Sequence, residues 1–493
     1  MKNIWKIFVL VVLLSSCTDL KDQYYDRLPA DKYPENALQI ALLPAPVYSG
    51  LQGFLDGSGW WFCQELTSDE MVGPTRNTDW DDGGKWRALH EHTWTNTTEA
   101  INNMWSPMYG GIAQANKLVE LLETYPKTSA VMATIAQVKI MRAFYYYVLI
   151  DNYGDVPYVT SFANADPKPF KTTRAEIFNK LVGETGEIEG NIKYLLPSNS
   201  KTSVTKGMAF SLLAKLYLNA EVYTGTPEWV KAEAACDSVI ALGQYGLEGT
   251  PLAPFVTENS GSLENIFTIP YDENTYKGNN LHMRTLHYLS NLTYDMTLGP
   301  WNGFCAMEDH YNTYEDIDLR KAGFMVGQQF TSSGTKIYDL VAEVDLVIKA
   351  HLPALKMDAT FTKDEIRNTG ARVIKFEIKK GANDNLSNDF PIFRYADILL
   401  MKAEAMIRQS KNGDEYVNQI RTRAGVSTWT GVTNEQLLAE RGREMFWEGH
   451  RRQDLIRFGE FNKAWWEKLA STPDRNTFPI PQWAIDANEN LAK

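Results

Sequence analysis

The chain has 493 residues, 49 of them basic and 61 acidic, for a formal charge of −12 at neutral pH. That balance excludes a nucleic-acid binder, whose phosphate partners demand a basic face, and it excludes adhesion to anionic lipid through the protein surface. The length suffices for a sizeable core and more than one lobe, and the four cysteines, none in a Cys-x-x-Cys pair, point away from zinc or a disulfide framework.

Residues 1–16 read as a cleaved export signal: Lys2 and Lys6 precede the apolar run Ile7–Leu14, too short to span a bilayer. Leu14-Ser15-Ser16-Cys17 resembles a bacterial lipobox, so Cys17 is the expected lipid attachment point and the mature protein is expected to be anchored to a membrane without spanning it. The remaining cysteines, Cys63, Cys236 and Cys305, are expected as buried thiols. His90-Glu91-His92 puts its imidazoles two apart, which suits one strand face and not a helical metal site.

Residues 18–98 are rich in Gly, Pro, Asp and Trp with no sustained period. From Glu99, Ile101, Trp105, Met108, Ile112, Ala115, Val119 and Leu122 mark one apolar helix stripe. Thr134, Val138, Met141, Tyr145 and Val148 mark a second helix, stopped by Gly154 and Pro157. Helices are predicted over 174–196 and 207–223, and a further one from an N-cap and first-turn proline at Thr226-Pro227 to about Gly243. Residues 244–390 are irregular, with short strand-like pieces such as Arg372–Ile378. Helical pattern returns at Arg394–Gln409, Glu415–Ala424 and Asn434–Glu448, the last with Thr433 and Gln436 as a capping box. The fold class expected is mainly α: a tetratricopeptide-like scaffold of successive helix pairs with long irregular loops and a few short strands, although no clean repeat near 34 residues stands out.

Glu440, Glu444 and Glu448 are four apart and so share one helix face, which destabilises a helix unless compensated. Arg441, Arg443, Arg451 and Arg452 are the nearby candidates for compensation, and a paired ionic network locking this helix to its neighbours accounts for the cluster without catalysis. Hydrolysis of a glycosidic bond needs two carboxyl groups facing across a sugar. No nucleophile elbow, phosphate loop, zinc-protease or dinucleotide motif is present.

Seven segments stand out in order: Trp105-x-x-x-Tyr109-x-x-Ile112-x-x-x-Asn116; Arg142-Ala143-Phe144-Tyr145-Tyr146 leading to Tyr153-Gly154-Asp155-Val156-Pro157; Arg394-Tyr395-Ala396-Asp397-Ile398-Leu399-Leu400-Met401; Asn418-x-Ile420-Arg421-x-Arg423-Ala424-Gly425; Glu440-Arg441-x-Arg443-Glu444; Glu448-Gly449-x-Arg451-x-x-Asp454-Leu455-Ile456-Arg457; and Phe478-Pro479-Ile480-Pro481. Taken together, they resemble the SusD/RagB family of surface glycan-binding lipoproteins. The family's closing Asn-Pro segment is replaced here by Asn488-Glu489-Asn490. The resemblance implies an N-terminal region of about 17–225 and a C-terminal region of about 260–493. It also implies lipid attachment at the outer membrane, association with a SusC-like TonB-dependent transporter, and capture of oligosaccharide or polysaccharide without cleavage or cofactor. Peptide cargo, as in RagB-type relatives, is the alternative within the family, and a glycosidase the alternative outside it.

A sugar offers apolar C–H faces and polar hydroxyl rims, so a site needs flat rings together with amides, carboxylates or guanidiniums. Trp80 and Trp86, in Thr78-Asp79-Trp80-Asp81-Asp82-Gly83-Gly84-Lys85-Trp86, are expected to reach solvent, and Trp301 is presented by the turn Leu298-Gly299-Pro300-Trp301-Asn302-Gly303. Tyr271, Tyr276 and Tyr294 are further candidate rings, and Asp69 and Arg76 candidate rim groups. Trp60, Trp61 and Trp94 fit either core or site. The expected affinity is micromolar to millimolar, with no metal involved.

Overall fold

The structure, a computed structural model, describes residues 36–55 and 59–492, so the export signal and Cys17 lie outside the described residues. Two units are present, Met1–Leu43 and Pro44–Lys493. Within the first, Asn36 caps the short helix Ala37–Leu42 by accepting the Gln39 N–H at 3.0 Å. All other described elements belong to the second unit.

Its helices come in successive pairs. The apolar stripe from Ile101 to Leu122 becomes the buried face of α1, Glu99–Glu123. Thr128 caps α2, Ser129–Tyr153, which is buried on nearly all sides and ends where Gly154 turns left-handed. Gly111 is what lets the two helices meet closely, because a Cβ there would overlap the Tyr145 ring. The helix predicted over 174–196 is shorter. α3 runs Arg174–Leu181, then Val182 extends and Gly183 adopts φ +83°, so the chain bends before a single further turn at Glu189–Ile192.

α4, Lys206–Leu218, stops at Asn219, so the predicted 207–223 helix is two pieces, the second being Ala220–Thr224. α5, Trp229–Ala241, begins after Glu228 and not at Thr226, and no side chain caps it. α6, Tyr395–Arg408, packs on both α4 and α5, and also on α7, Asp414–Arg423, and α8, Asn434–Met445. Ala396, Leu399, Leu400, Ala403, Val417, Ile420 and Leu437 form the shared core of that trio. The Thr433/Gln436 capping box is present, and α9, Arg451–Phe458, packs against α8. No described helix is long and apolar enough to cross a membrane.

The strands are short and pair two by two. β1, Met71–Val72, is antiparallel to β4, Cys305–Ala306; β2, Thr75–Arg76, is parallel to β5, Lys356–Met357; β3, Asn265–Ile269, is antiparallel to β6, Phe390–Arg394. Cys63, Cys236 and Cys305 are buried, unpaired thiols. His90 and His92 do not line a strand. Both are buried, bonded to Trp466 O at 2.8 Å and to Thr67 O at 2.9 Å.

The carboxylate cluster is an internal ionic network. α8 ends at Met445, and Trp447 takes φ +70°, so Glu448 lies beyond the helix yet still enters the network. Glu440 pairs with Arg320 at 2.6 Å, Arg421 at 2.8 Å and Arg443 at 2.7 Å. Glu444 meets Arg394 at 2.7 Å and Arg423, and Glu448 meets Arg394 and Lys375 at 2.6 Å. Of the compensators expected from nearby sequence only Arg443 touches these glutamates. Arg441 serves Asp397 and Asp454, Arg451 serves Asp69, and Arg452 donates to Asn476 O. All three glutamates are buried and occupied by cations, a poor arrangement for protonating a glycosidic oxygen.

This network sets the pH response of stability. Burial alone would raise Glu440, Glu444, Asp397 and Asp454, but the arginines and Lys215 outweigh it and hold all four below the ordinary carboxylate range. Burial holds His310 and His450 down to about 3. Each of these groups binds fewer protons in the native than in the unfolded state between its depressed value and its ordinary one. Their contribution is therefore full above the unfolded values and lost as pH falls through the folded ones. Glu65, raised by burial to about 8, acts in the opposite sense: its contribution is full below its ordinary value and lost as pH rises. The carboxylates outnumber it, so the urea midpoint is expected to drop as pH goes from about 6 to about 3, most steeply below about 4.5. A flat or rising profile would contradict the network.

Candidate functional site

The β1·β4 pairing decides where the loops that carry Trp80 and Trp301 meet. β1 leads through Gly73 and Pro74 to β2, whose exit is the 77–84 loop, and β4 is entered from the 299–304 turn. The two loops from opposite halves of the sequence are thereby brought side by side. Arg76 N–H donates to Asp79 O at 2.8 Å and Asp79 N–H to Arg76 O at 3.1 Å, closing a tight turn just before the half-buried Trp80.

Trp80 has φ +57°, costly for a bulky residue, and Asn77, Asp82 and Asn302 are also left-handed. Strain of that kind persists only where surrounding contacts enforce it. The Trp80 Nε1–H donates to Trp301 O at 2.6 Å, and its ring packs 4.9 Å from Phe304 and 5.9 Å from Trp86. It also lies flat over Gly303, where a Cβ would overlap the indole. Gly303→Ala is therefore expected to push the Trp80 ring off its seat and weaken ligand binding about fivefold, while lowering the melting temperature only slightly. Isothermal titration and a thermal melt check both halves.

Trp301 is 37% exposed. Its turn is held by four backbone bonds: Trp301 N–H to Met283 O at 2.6 Å, Asn302 to Leu286 O at 2.9 Å, and Gly303 and Phe304 to Arg284 O at 2.9 and 2.8 Å. The Arg284 guanidinium sits between rings, 5.4 Å from Trp301 and 4.6 Å from Phe62. Tyr288 is half-buried and donates its hydroxyl to Asp79, and Arg367 lies 4.7 Å over its ring while gripping Asp339 at 2.7 and 3.1 Å.

Two buried arginines underpin this surface. Arg76 donates to Ile366 O at 2.7 Å, Thr369 O at 3.0 Å and Gly303 O at 3.3 Å. Arg372 donates to Asn302 Oδ1 at 2.7 Å and to the Arg367, Thr369 and Gly370 carbonyls at 2.9 Å each. Neither has a carboxylate partner among the described residues. Carbonyl dipoles meet their charge instead, and burial lowers both pKa values, Arg372 to about 9. Through them the Trp80 loop, the Trp301 turn and the 366–372 segment form one body.

Of the residues picked from sequence, Trp80, Trp86 and Trp301 are brought together, but Trp86 does not reach solvent. It is 3% exposed, wedged against Phe62 and Phe304 at 5.7 and 5.2 Å, and forms the layer beneath Trp80. Arg76 is 2% exposed and spent on carbonyls, so it offers no rim donor. The Asp69 carboxylate is gripped by Arg451 at 2.7 and 2.9 Å. Tyr271 is 4% exposed, bonds Gln52 O at 3.1 Å and lies 6.4 Å from the half-buried Tyr276. Tyr294 is also half-buried. Trp61 and Trp94 belong to the core. Phe304 and Arg284 escaped the sequence reading, since nothing in their local pattern marks a ring seat or a guanidinium wedge.

Two family models match the chain: one described as the SusD family over residues 356–493, and one described as starch-binding, associating with outer membrane, over 62–218. The starch-binding protein SusD of Bacteroides thetaiotaomicron is 25% identical, covering 87% of this chain and 84% of its own length. A SusD-like protein of Bacteroides ovatus is 23% identical over 91% of this chain and 81% of its own length. Among solved structures, a laminarin-binding SusD-like protein superposes with TM-score 0.73 at 20% identity, covering 92% of this chain and 98% of that one. Surface glycan-binding protein A from Bacteroides thetaiotaomicron in complex with laminarihexaose gives 0.70 at 21%, with the same coverage. The ordered motifs, the paired-helix scaffold and these matches agree: the chain belongs to the SusD/RagB family.

Proposed function

We propose that this protein captures oligosaccharide or polysaccharide at the cell surface, without cutting it, and hands it to a SusC-like TonB-dependent transporter, with Cys17 carrying the lipid anchor in the outer membrane. One observation carries the reading: Trp80 and Trp301 are locked to each other by the Nε1–O bond, and both keep ring surface open to solvent. Fixed indoles suit the C–H faces of a sugar because little rotamer entropy is lost on stacking. Asp79, Asp82, Tyr288 and the Arg284 edge surround them as hydroxyl partners. The described relatives include starch- and laminarin-binding proteins, which supports carbohydrate as the cargo class.

Catalysis is disfavoured because the Glu440, Glu444 and Glu448 carboxylates are buried and paired with arginines and Lys375. A peptide cargo would have one feature on its side, a groove of about 510 Å³ whose apolar lining, Phe210, Leu213 and Tyr217, is interleaved with Glu184, Glu189 and Lys231. Retardation in native gels containing neutral polysaccharides tests the choice. Retention by at least one glycan, with no reducing ends released, is expected. Binding of peptides with no glycan retained would reverse it. Co-purification of the full-length lipoprotein with a TonB-dependent transporter tests the transfer step.

A further inference from the structure

Resting on the glycan reading, we infer that this site selects uncharged glycans and rejects chains bearing sulfate or carboxylate groups, with Asp79 and Asp82 as the residues that decide it. Both residues are exposed, and they flank Trp80 in the 77–84 loop. Neither forms an ion pair among the described residues. Asp82 accepts the Trp86 Nε1–H at 2.6 Å, and Asp79 accepts from Tyr288 and from the Trp80 N–H at 3.1 Å.

The cations around the platform are, in contrast, committed, Lys356 excepted. Arg87 is bound to Asp81 at 2.8 Å and Lys85 to Glu99 at 2.8 Å, while Lys85 also lies 4.5 Å over the Trp86 ring. Arg367 holds Asp339. Lys356, on the strand paired with β2, is exposed and forms no ion pair among the described residues; the carboxylates of Asp81 and Asp358 feel its charge. Arg284 is wedged between Phe62 and Trp301 with its Nε on Asn280 Oδ1 at 3.0 Å. Arg76 and Arg372 are buried and wrapped by carbonyls. Recognition of an anionic sugar needs charge-assisted donors, bidentate arginine above all, aimed at the ligand. Here a sulfate would have to displace an existing partner, or reach Lys356 past Asp81, while sitting beside two carboxylates. A neutral sugar meets no such penalty, because those carboxylates accept its hydroxyl protons.

The test compares each neutral polymer that retards the protein with its anionic derivative: dextran with dextran sulfate, laminarin with sulfated laminarin, hydroxyethyl- with carboxymethyl-cellulose. Wild type, Asp79→Asn/Asp82→Asn and Trp301→Ala are run in about 20 mM and about 300 mM NaCl. The derivative is expected to bind wild type at least about fivefold more weakly at low salt. Both the double asparagine variant and the higher salt should narrow that gap at least about twofold. Should the double variant melt well below wild type, the single variants Asp79→Asn and Asp82→Asn decide. A derivative that binds as tightly as its parent, or a gap that the asparagine variants leave unchanged, overturns the inference while leaving the glycan reading intact. If no polymer of either kind is retained, or Trp301→Ala binds both members of a pair normally, the platform reading fails and takes the inference with it.

Discussion

Arg394→Ala is expected to cost about 3–5 kcal/mol of folding stability. The side chain ends β6 and is buried. Its guanidinium donates to Glu264 and Glu444 at 2.7 Å each, to both Glu448 oxygens at 2.6 and 2.7 Å, and to Glu444 O at 2.7 Å. Removing it strands three carboxylates in a place that water does not reach, with only Arg423, Arg320 and Lys375 left to hold them. Lysine should recover part of the loss, since a point charge cannot reproduce the planar fork. If the alanine variant fails to fold, Glu264→Gln, which keeps the shape and removes one charge, gives a graded loss of about 1–3 kcal/mol. Urea unfolding at neutral pH reads both, and a change below about 1 kcal/mol for Arg394→Ala would mean the network carries no stability.

Trp301→Ala and Trp80→Ala are expected to weaken glycan binding by about 1–2 kcal/mol each, roughly five- to thirtyfold. Their stability costs should differ in a telling way. Trp301 is partly solvated, so its removal should change unfolding free energy by less than about 1 kcal/mol. Trp80 also packs on Phe304 and should cost somewhat more. Trp86, fully enclosed below them, should behave oppositely: Trp86→Ala is expected to lose about 3–5 kcal/mol of stability. Titration calorimetry beside thermal melts separates the three. Equal binding by wild type and both exposed-ring variants would remove the platform from the account.

The helices were largely legible because their evidence is local. The Ile101–Leu122 stripe, the Gly154 stop and the Thr433/Gln436 capping box each involve residues within a few turns of one another. The errors fall where distant contacts or backbone sign decide. Apolar spacing continues from Ile177 past Leu181 to Ile188 and Ile192, which hides the break that Val182 and Gly183 impose. Glu448 keeps the four-residue spacing of Glu440 and Glu444 but leaves the helix, because Trp447 is left-handed.

The site divides in the same manner. Acidic flanks around Trp80 and the Gly-Pro turn before Trp301 are local cues, and both rings do meet solvent. Trp86 has a cue of the same kind, just after Gly83-Gly84, yet Phe62 and Phe304, remote in sequence, enclose it. Arg76 looked like a rim donor for want of any sign that the carbonyls of residues 303, 366 and 369 would claim it. The partners of the glutamate cluster, Arg320, Arg394, Arg421 and Arg423, could be assigned only once the chain was folded.

A crystal structure of the protein with a neutral oligosaccharide that it retains tests the central claim most directly. The account predicts sugar rings stacked on the Trp80 and Trp301 indoles, with hydroxyls bonded to Asp79, Asp82 or Tyr288. Sugar lodged in the groove beside Phe210 and Tyr217, with both indoles bare, would contradict it.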